Sequence, residues 1–187
     1  MSTTEVFRRL TAALQSAGIE YMLVGSFAST RYSSPRSTQD IDIVIASTPA
    51  QLRSLIQDLS EHNYYAELDA ALEAHRQESL FNIIDLNTGW KIDLILCKST
   101  PFGQEEFRRR RKVELDGFQV FVASPEDVII AKLQWAKQSA SQRQIEDAAA
   151  VLRVQGEALD TRYLEKWIAD LQLVDQWDDC RKLATSR

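Results

Sequence analysis

Residues Val24 to Ile45 read VGSFASTRYSSPRSTQDIDIVI, and this stretch decides the fold. It opens at the end of a short apolar run, Tyr21–Val24, which fits a strand. Gly25-Ser26 follows at once and hands the chain to a helical turn over Phe27–Tyr32. Glycine lets the backbone approach a ligand closely, and the free amides of a helix start favour anions. Ser33 to Thr38 is loop chemistry with Pro35 inside it. Thirteen residues separate Ser26 from Asp40-Ile41-Asp42, which heads an apolar strand running to Ala46. Side chains two apart on a strand share a face. Asp40 and Asp42 therefore point one way, and Ile41 and Ile43 the other.

Two carboxylates side by side repel unless a cation lies between them. Magnesium, or manganese, suits such a pair, because it takes one or two carboxylates and leaves positions for water and phosphate oxygens. A third acid fits the same pattern. Asp93 stands alone in the apolar strand WKIDLILC, residues 90–97, and a lone carboxylate is hard to bury there. Facing the metal from a neighbouring strand would explain it, with a role as general base and metal ligand. Asp85 is the rival third acid, but Asp93 has the more apolar flanks.

These residues carry a family resemblance. The order strand, Gly-Ser, helix, Asp-x-Asp, and then a lone Asp on a later strand resembles the DNA polymerase beta-type nucleotidyltransferase superfamily. Arg36-x-Thr38-x-Asp40-Ile41-Asp42 matches the R-x-T-x-D-I-D form of its minimal members. The resemblance covers residues 20–96. The chain departs from it before Arg36, where Ser34-Pro35 replaces a glycine common in relatives. Residues 124–151 are similar to the helical region of abortive-infection AbiEii-type toxins, where Lys, Arg and Asp follow on successive turns. Lys132, Arg143 and Asp147 hold those positions here.

The resemblance implies catalytic and metal-binding roles for Asp40, Asp42 and Asp93. It implies nucleotide contacts from Gly25, Ser26, Arg36, Thr38 and Lys132, with Arg143 and Asp147 in support. The activity implied is transfer of a nucleoside monophosphate from an NTP to a hydroxyl or phosphate acceptor such as tRNA or a protein. The other reading is a non-catalytic module that binds nucleotide or an antitoxin-type partner in a toxin–antitoxin or phage-defence pair. Each motif also has an ordinary reading. Ser26 would cap the following helix. Lys132 would snorkel from an apolar helix, and Arg143 and Asp147 would form a helix-surface pair.

Outward from this segment, residues 3–16 form an amphipathic pattern ended by Gly18, and Pro49 starts a helix reaching about Glu61. A helix is expected over 69–77. Strands Leu80–Asp85 and Trp90–Cys97 follow, joined by Asn87-Thr88-Gly89. A helix over 102–111 precedes a hairpin at Asp116-Gly117. Ser124-Pro125-Glu126-Asp127 then caps the first of three or four helices, with breaks near Ala140, Gly156 and Leu173. The expected class is α/β (α+β). A small mixed sheet flanked by helices occupies residues 1–123, and a helical region packed on it occupies 124–187.

Composition sets the outer limits. The 187 residues are 44% hydrophobic and 26% charged, ordinary values for a globular chain. Net charge is −5, which speaks against a broadly basic nucleic-acid surface. One dense basic run, Arg108 to Lys112, is either a solvated helix end or a phosphate patch for nucleotide or RNA. No apolar run is long enough for a membrane helix and no secretory signal is legible. Two distant cysteines fit a reducing cytoplasm.

Overall fold

The computed structural model describes residues 3–33, 40–115 and 117–185. Arg36 and Thr38 lie outside these described residues. The chain divides into two compact units. One comprises Met1–Val24 and Thr38–Val122, the other Gly25–Ser37 and Ala123–Arg187.

The first unit holds a sheet of seven strands among the described residues: β1 (Glu20–Leu23), β2 (Asp40–Ala46), β3 (Tyr64–Tyr65), β4 (Leu80–Asp85), β5 (Lys91–Leu96), β6 (Arg111–Leu115) and β7 (Phe118–Val122). Their order is β3-β4-β5-β2-β1-β7-β6. β2 runs parallel to β5 and antiparallel to β1, so the sheet is mixed. Alternation decides the faces. Ile41, Ile43 and Ile45 on β2 and Ile92 and Leu94 on β5 are fully buried. The helices α1 (Thr3–Ser16) and α3 (Pro49–Glu61) pack on each other and bury Leu10, Leu14, Leu55 and Leu59. α3 begins with a capping box, in which Thr48 and Gln51 satisfy each other's backbone amides. α4 (Leu68–Gln77) and α5 (Pro101–Arg108) complete the unit.

The second unit is helical. It contains α2 (Gly25–Tyr32), α6 (Pro125–Ser139), α7 (Gln142–Gln155), α8 (Thr161–Asp170) and α9 (Val174–Thr185), with a 3-10 turn at Gly156–Ala158. The expected cap at Ser124 is present: its Oγ accepts from the Asp127 amide at 3.2 Å and donates to the Asp127 carboxylate at 2.6 Å. α2 is counted with these helices rather than with the sheet. The Tyr32 hydroxyl donates to the Ala123 carbonyl at 2.9 Å, and Gln155 donates to the Tyr32 carbonyl at 3.1 Å.

Two expectations need correction. The helix expected over 102–111 stops at Arg108, and Arg111 already opens β6 opposite Val122. Sheet pairing overrides local helix preference there. Arg110 is also held over the rings of Phe107 and Phe121 and bonded to Glu20. Strand β3 was not expected, because two residues show no periodicity. No helix among the described residues is long and apolar enough to cross a membrane.

Candidate functional site

The parallel register of β2 and β5 brings the three acids together. Asp42 stands directly opposite Asp93, and Asp40 directly opposite Lys91. Neighbouring strands lie about 4.8 Å apart, so the Asp42 and Asp93 side chains leave the sheet as neighbours on one face. The other face of the same strands carries the buried isoleucines and leucines. Asp40 is exposed, while Asp42 and Asp93 are half-buried. The Val24 amide donates to the Asp42 carbonyl at 3.0 Å, so β1 leaves the sheet beside Asp42 and the chain passes into Gly25.

Asp93 is held on both oxygens. Asn82, its register partner on β4, donates to Oδ1 at 2.5 Å. The Lys91 ammonium lies 3.0 Å from Oδ1 and 3.2 Å from Oδ2. The hydrogen bond to Asp93 above all, helped by the charges of Asp93, Asp40 and Asp42, holds the Lys91 ammonium above the usual lysine range, against a desolvation effect larger than any one of those charges. Sequence reasoning missed Asn82 and Lys91. Lys91 was within reach of it, since two residues before Asp93 on a strand means the same face. Asn82 becomes a neighbour only through strand pairing.

Asp85 does not join this group. It is fully buried on the opposite face of β4 and paired with Arg9 of α1. Its carbonyl accepts from the Thr88 and Gly89 amides, and its carboxylate from the Asn87 amide at 3.0 Å. That makes it the anchor of the β4–β5 turn.

The donor set fits a hard divalent cation. Two carboxylates from adjacent strands, with an exposed third beside them, leave the rest of the shell to water and phosphate oxygens, as magnesium prefers. Among the described residues no three His, Cys, Asp or Glu side chains converge closely enough to enclose a metal alone. The site is a sheet face rather than a cavity. A cavity of about 320 Å³ in the same unit, lined by Ser47, His75, Glu78 and Cys97, lies at the far ends of β2 and β5, beside Ala46 and Leu96. Chemistry rather than concavity locates the candidate site.

In the second unit, Gly25 starts α2 with φ +60°, a left-handed conformation that favours glycine. Ser26 follows it in the first turn. Lys132 on α6 is buried and donates to Asp147 on α7 at 2.9 Å and to Gln144 at 3.3 Å. Arg143 is exposed on α7. The partner seen at Asp147 is thus Lys132 across the helix pair, not Arg143 one turn away. The basic run is divided between α5 and β6: Arg108 pairs with Glu105, Arg110 with Glu20, and Lys112 is exposed.

Comparison with solved structures finds the same fold at low identity. ANT(2″)-Ia in complex with adenylyl-2″-tobramycin aligns at TM-score 0.64 and 14% identity, covering 92% of this chain and 98% of the other. A nucleotidyltransferase-like antigenic protein from Paracoccidioides brasiliensis aligns at TM-score 0.56 and 17% identity, over 97% and 94% of the two chains. The lincomycin-bound lincosamide antibiotic adenylyltransferase LnuA aligns at TM-score 0.55 and 14% identity, over 81% and 96%. No curated protein matches the sequence. A family model described as nucleotidyltransferase of unknown function (DUF6036) matches residues 4–182, and the chain belongs to that family.

Proposed function

We propose that this member of the nucleotidyltransferase family moves a nucleoside monophosphate from an NTP to a hydroxyl or phosphate acceptor and releases pyrophosphate. The observation that carries the reading is the register of β2 and β5, which sets Asp42 against Asp93 and Asp40 one step along the same face. Asp40 and Asp42, with Asp93, would hold magnesium or manganese. When bound, that ion would neutralise charge on the reacting phosphate and on the leaving oxygens. Asp93 would take the proton of the attacking hydroxyl as its oxygen bonds to the α-phosphorus. The bond from that phosphorus to the bridging oxygen breaks, and its electron pair leaves with pyrophosphate.

Gly25 and Ser26 are assigned to the triphosphate, because free amides at a helix start favour phosphate. Arg36, Thr38 and Lys132 are assigned to the same anion, with Arg143 and Asp147 in support. The acceptor is a tRNA, a protein or a small molecule; of two proteins of similar fold, one is in complex with adenylyl-2″-tobramycin and the other is a lincosamide antibiotic adenylyltransferase. Two free cysteines suit a reducing cytoplasm.

One observation favours a second reading, a nucleotide-binding module without turnover that serves a partner such as an antitoxin. Both oxygens of Asp93 are already engaged by the chain's own Asn82 and Lys91. Calorimetry of each NTP with and without Mg²⁺ tests the site common to both readings. Magnesium-dependent binding in the wild type, lost in Asp40→Asn/Asp42→Asn, is the expected result. No binding of any NTP overturns the enzyme reading. Pyrophosphate release with bulk tRNA, falling about 10²–10⁴-fold in Asp93→Asn, separates turnover from binding alone.

A further inference from the structure

Strand β4 turns apolar side chains to both faces of the sheet. Phe81 and Ile83 are buried with Asp85 on the inner face. A sheet packed on one side would set polar residues between them, yet only Asn82 is polar there. Leu80 and Ile84 are exposed at 43% and 37%, and Tyr65 of β3, the register partner of Ile84, at 51%. Register ties this patch to the candidate site. Asn82 stands opposite Asp93, Ile84 opposite Lys91 and Leu80 opposite Ile95. The row Asn82–Asp93–Asp42 thus runs between two apolar groups, Tyr65–Ile84 on one side and Leu80–Ile95–Val44 on the other. With strands about 4.8 Å apart and about 3.3 Å per residue, Ile84 and Leu80 lie about 8 Å from Asp93, and Tyr65 about 12 Å.

We propose that Tyr65, Leu80 and Ile84 form the acceptor platform of this site, and that the acceptor is an uncharged, hydroxylated small molecule with a flat apolar or aromatic ring. The inference rests on the proposed function, since it names the molecule whose hydroxyl Asp93 would deprotonate. The ring lies on Tyr65 and Ile84, and a hydroxyl about 8–12 Å along the sheet reaches Asp93. The Tyr65 hydroxyl donates to Glu67, which fixes the ring and leaves it half exposed.

Charge and area select that class of acceptor. A polynucleotide needs Lys or Arg for its phosphates. β3 and β4 carry neither, and the adjoining start of α4 brings Glu67 and Asp69. Lys91 beside them is taken up by Asp93. A protein partner contributes about 800 Å² to a standard interface. Three half-exposed side chains offer on the order of 300 Å². A single ring stacked on one aromatic and one branched aliphatic side chain fits that area.

The test is methylumbelliferyl β-D-glucoside, a neutral fused ring carrying a sugar, titrated into the full chain without nucleotide or metal and read from its fluorescence. A saturable change is expected in the wild type. Tyr65→Ser should weaken binding about tenfold and Ile84→Thr about fourfold, while Tyr65→Phe should bind like the wild type. Bound glucoside should move the backbone amide resonances of Asn82 and Ile84 and leave those of Ser47 and Cys97, at the far end of the strands, in place. Melts within about 2 °C of the wild type show that each variant folds. No saturable change, unchanged affinity in both Tyr65→Ser and Ile84→Thr, or amide shifts confined to Ser47 and Cys97 overturns the inference. Displacement of the glucoside by bulk tRNA also overturns it, by giving the platform to nucleic acid. The titration holds neither NTP nor metal, so its failure leaves the calorimetry of the proposed function untouched, and failure there leaves this result standing.

Discussion

Removing Asp147 tests whether the buried pair in the helical unit carries structure, nucleotide binding or both. Lys132 and Asp147 expose only 6% and 14% of their side chains and join α6 to α7 at 2.9 Å. Asp147→Ala leaves the ammonium buried with the Gln144 carbonyl oxygen as its remaining bond. Breaking a buried pair by deleting one partner costs about 3–5 kcal/mol, because the other charge loses its compensation. In a chain of this size each kcal/mol moves Tm by about 2–4 °C, so the melt should fall by about 6–20 °C. Lys132→Met/Asp147→Leu removes both charges and keeps apolar bulk. It should lie within about 1 kcal/mol of the wild type. Thermal melts followed by circular dichroism measure both variants, and NTP calorimetry is run on the double variant. If Lys132 also serves the triphosphate, the double variant keeps its Tm and loses NTP affinity. Asp147→Ala melting within 2 °C of the wild type, on the scale of a single kcal/mol, would refute the argument, as would a double variant as unstable as the single one.

Three further outcomes follow from the same structure. Asp85→Ala should cost about 3–5 kcal/mol, because it strands Arg9 and unties the β4–β5 turn, while Asp93→Asn should shift urea stability by less than about 1 kcal/mol; equal losses would mean the two acids share a role. Burial pushes the Cys180 thiol up to about 12 from an ordinary 9.0, so at pH 8 only about one thiol in ten thousand is a thiolate and native protein should resist alkylation there. The protonated thiol favours the fold below about pH 9, and this contribution fades as pH climbs towards about 12; Cys180→Ala should flatten that alkaline fall in Tm. Gly25→Ala puts a side chain at φ +60° and should cost about 1–2 kcal/mol in a denaturant melt.

The sequence carried the β2 strand and its acid face because that signal is local. Asp40-Ile41-Asp42-Ile43 alternates strictly, and alternation alone assigns the two faces. Capping was local too: Ser124-Pro125 starts α6 and Thr48-Pro49 starts α3, both by side-chain chemistry within four residues. What stayed hidden depends on pairing between distant segments. The Arg9–Asp85 bond spans 76 residues, and nothing near Arg9 marks it for a buried carboxylate. The end of α5 at Arg108 depends on β7 waiting as a partner for Arg111. The association of α2 with α6 and α7 depends on bonds from Tyr32 and Gln155 that no periodicity encodes.

Asp85 and Asp93 show how far strand arithmetic reaches. They lie on the two arms of one hairpin, and both interrupt apolar runs. In the register Asn82 meets Asp93, so Asp85, three residues further along β4, falls on the opposite face. One acid is thereby sealed against α1 and becomes structural, while the other joins Asp42 on the chemical face. A side-chain period of two places Lys91 on that face as firmly as it places Asp93. In the sequence alone a charge at a strand start, such as Lys91, reads as an ordinary edge residue. Its meaning arises only when β2 supplies Asp40 opposite it and Asp42 opposite Asp93. A cation directly in register with one acid and bonded to another changes the electrostatics of the group.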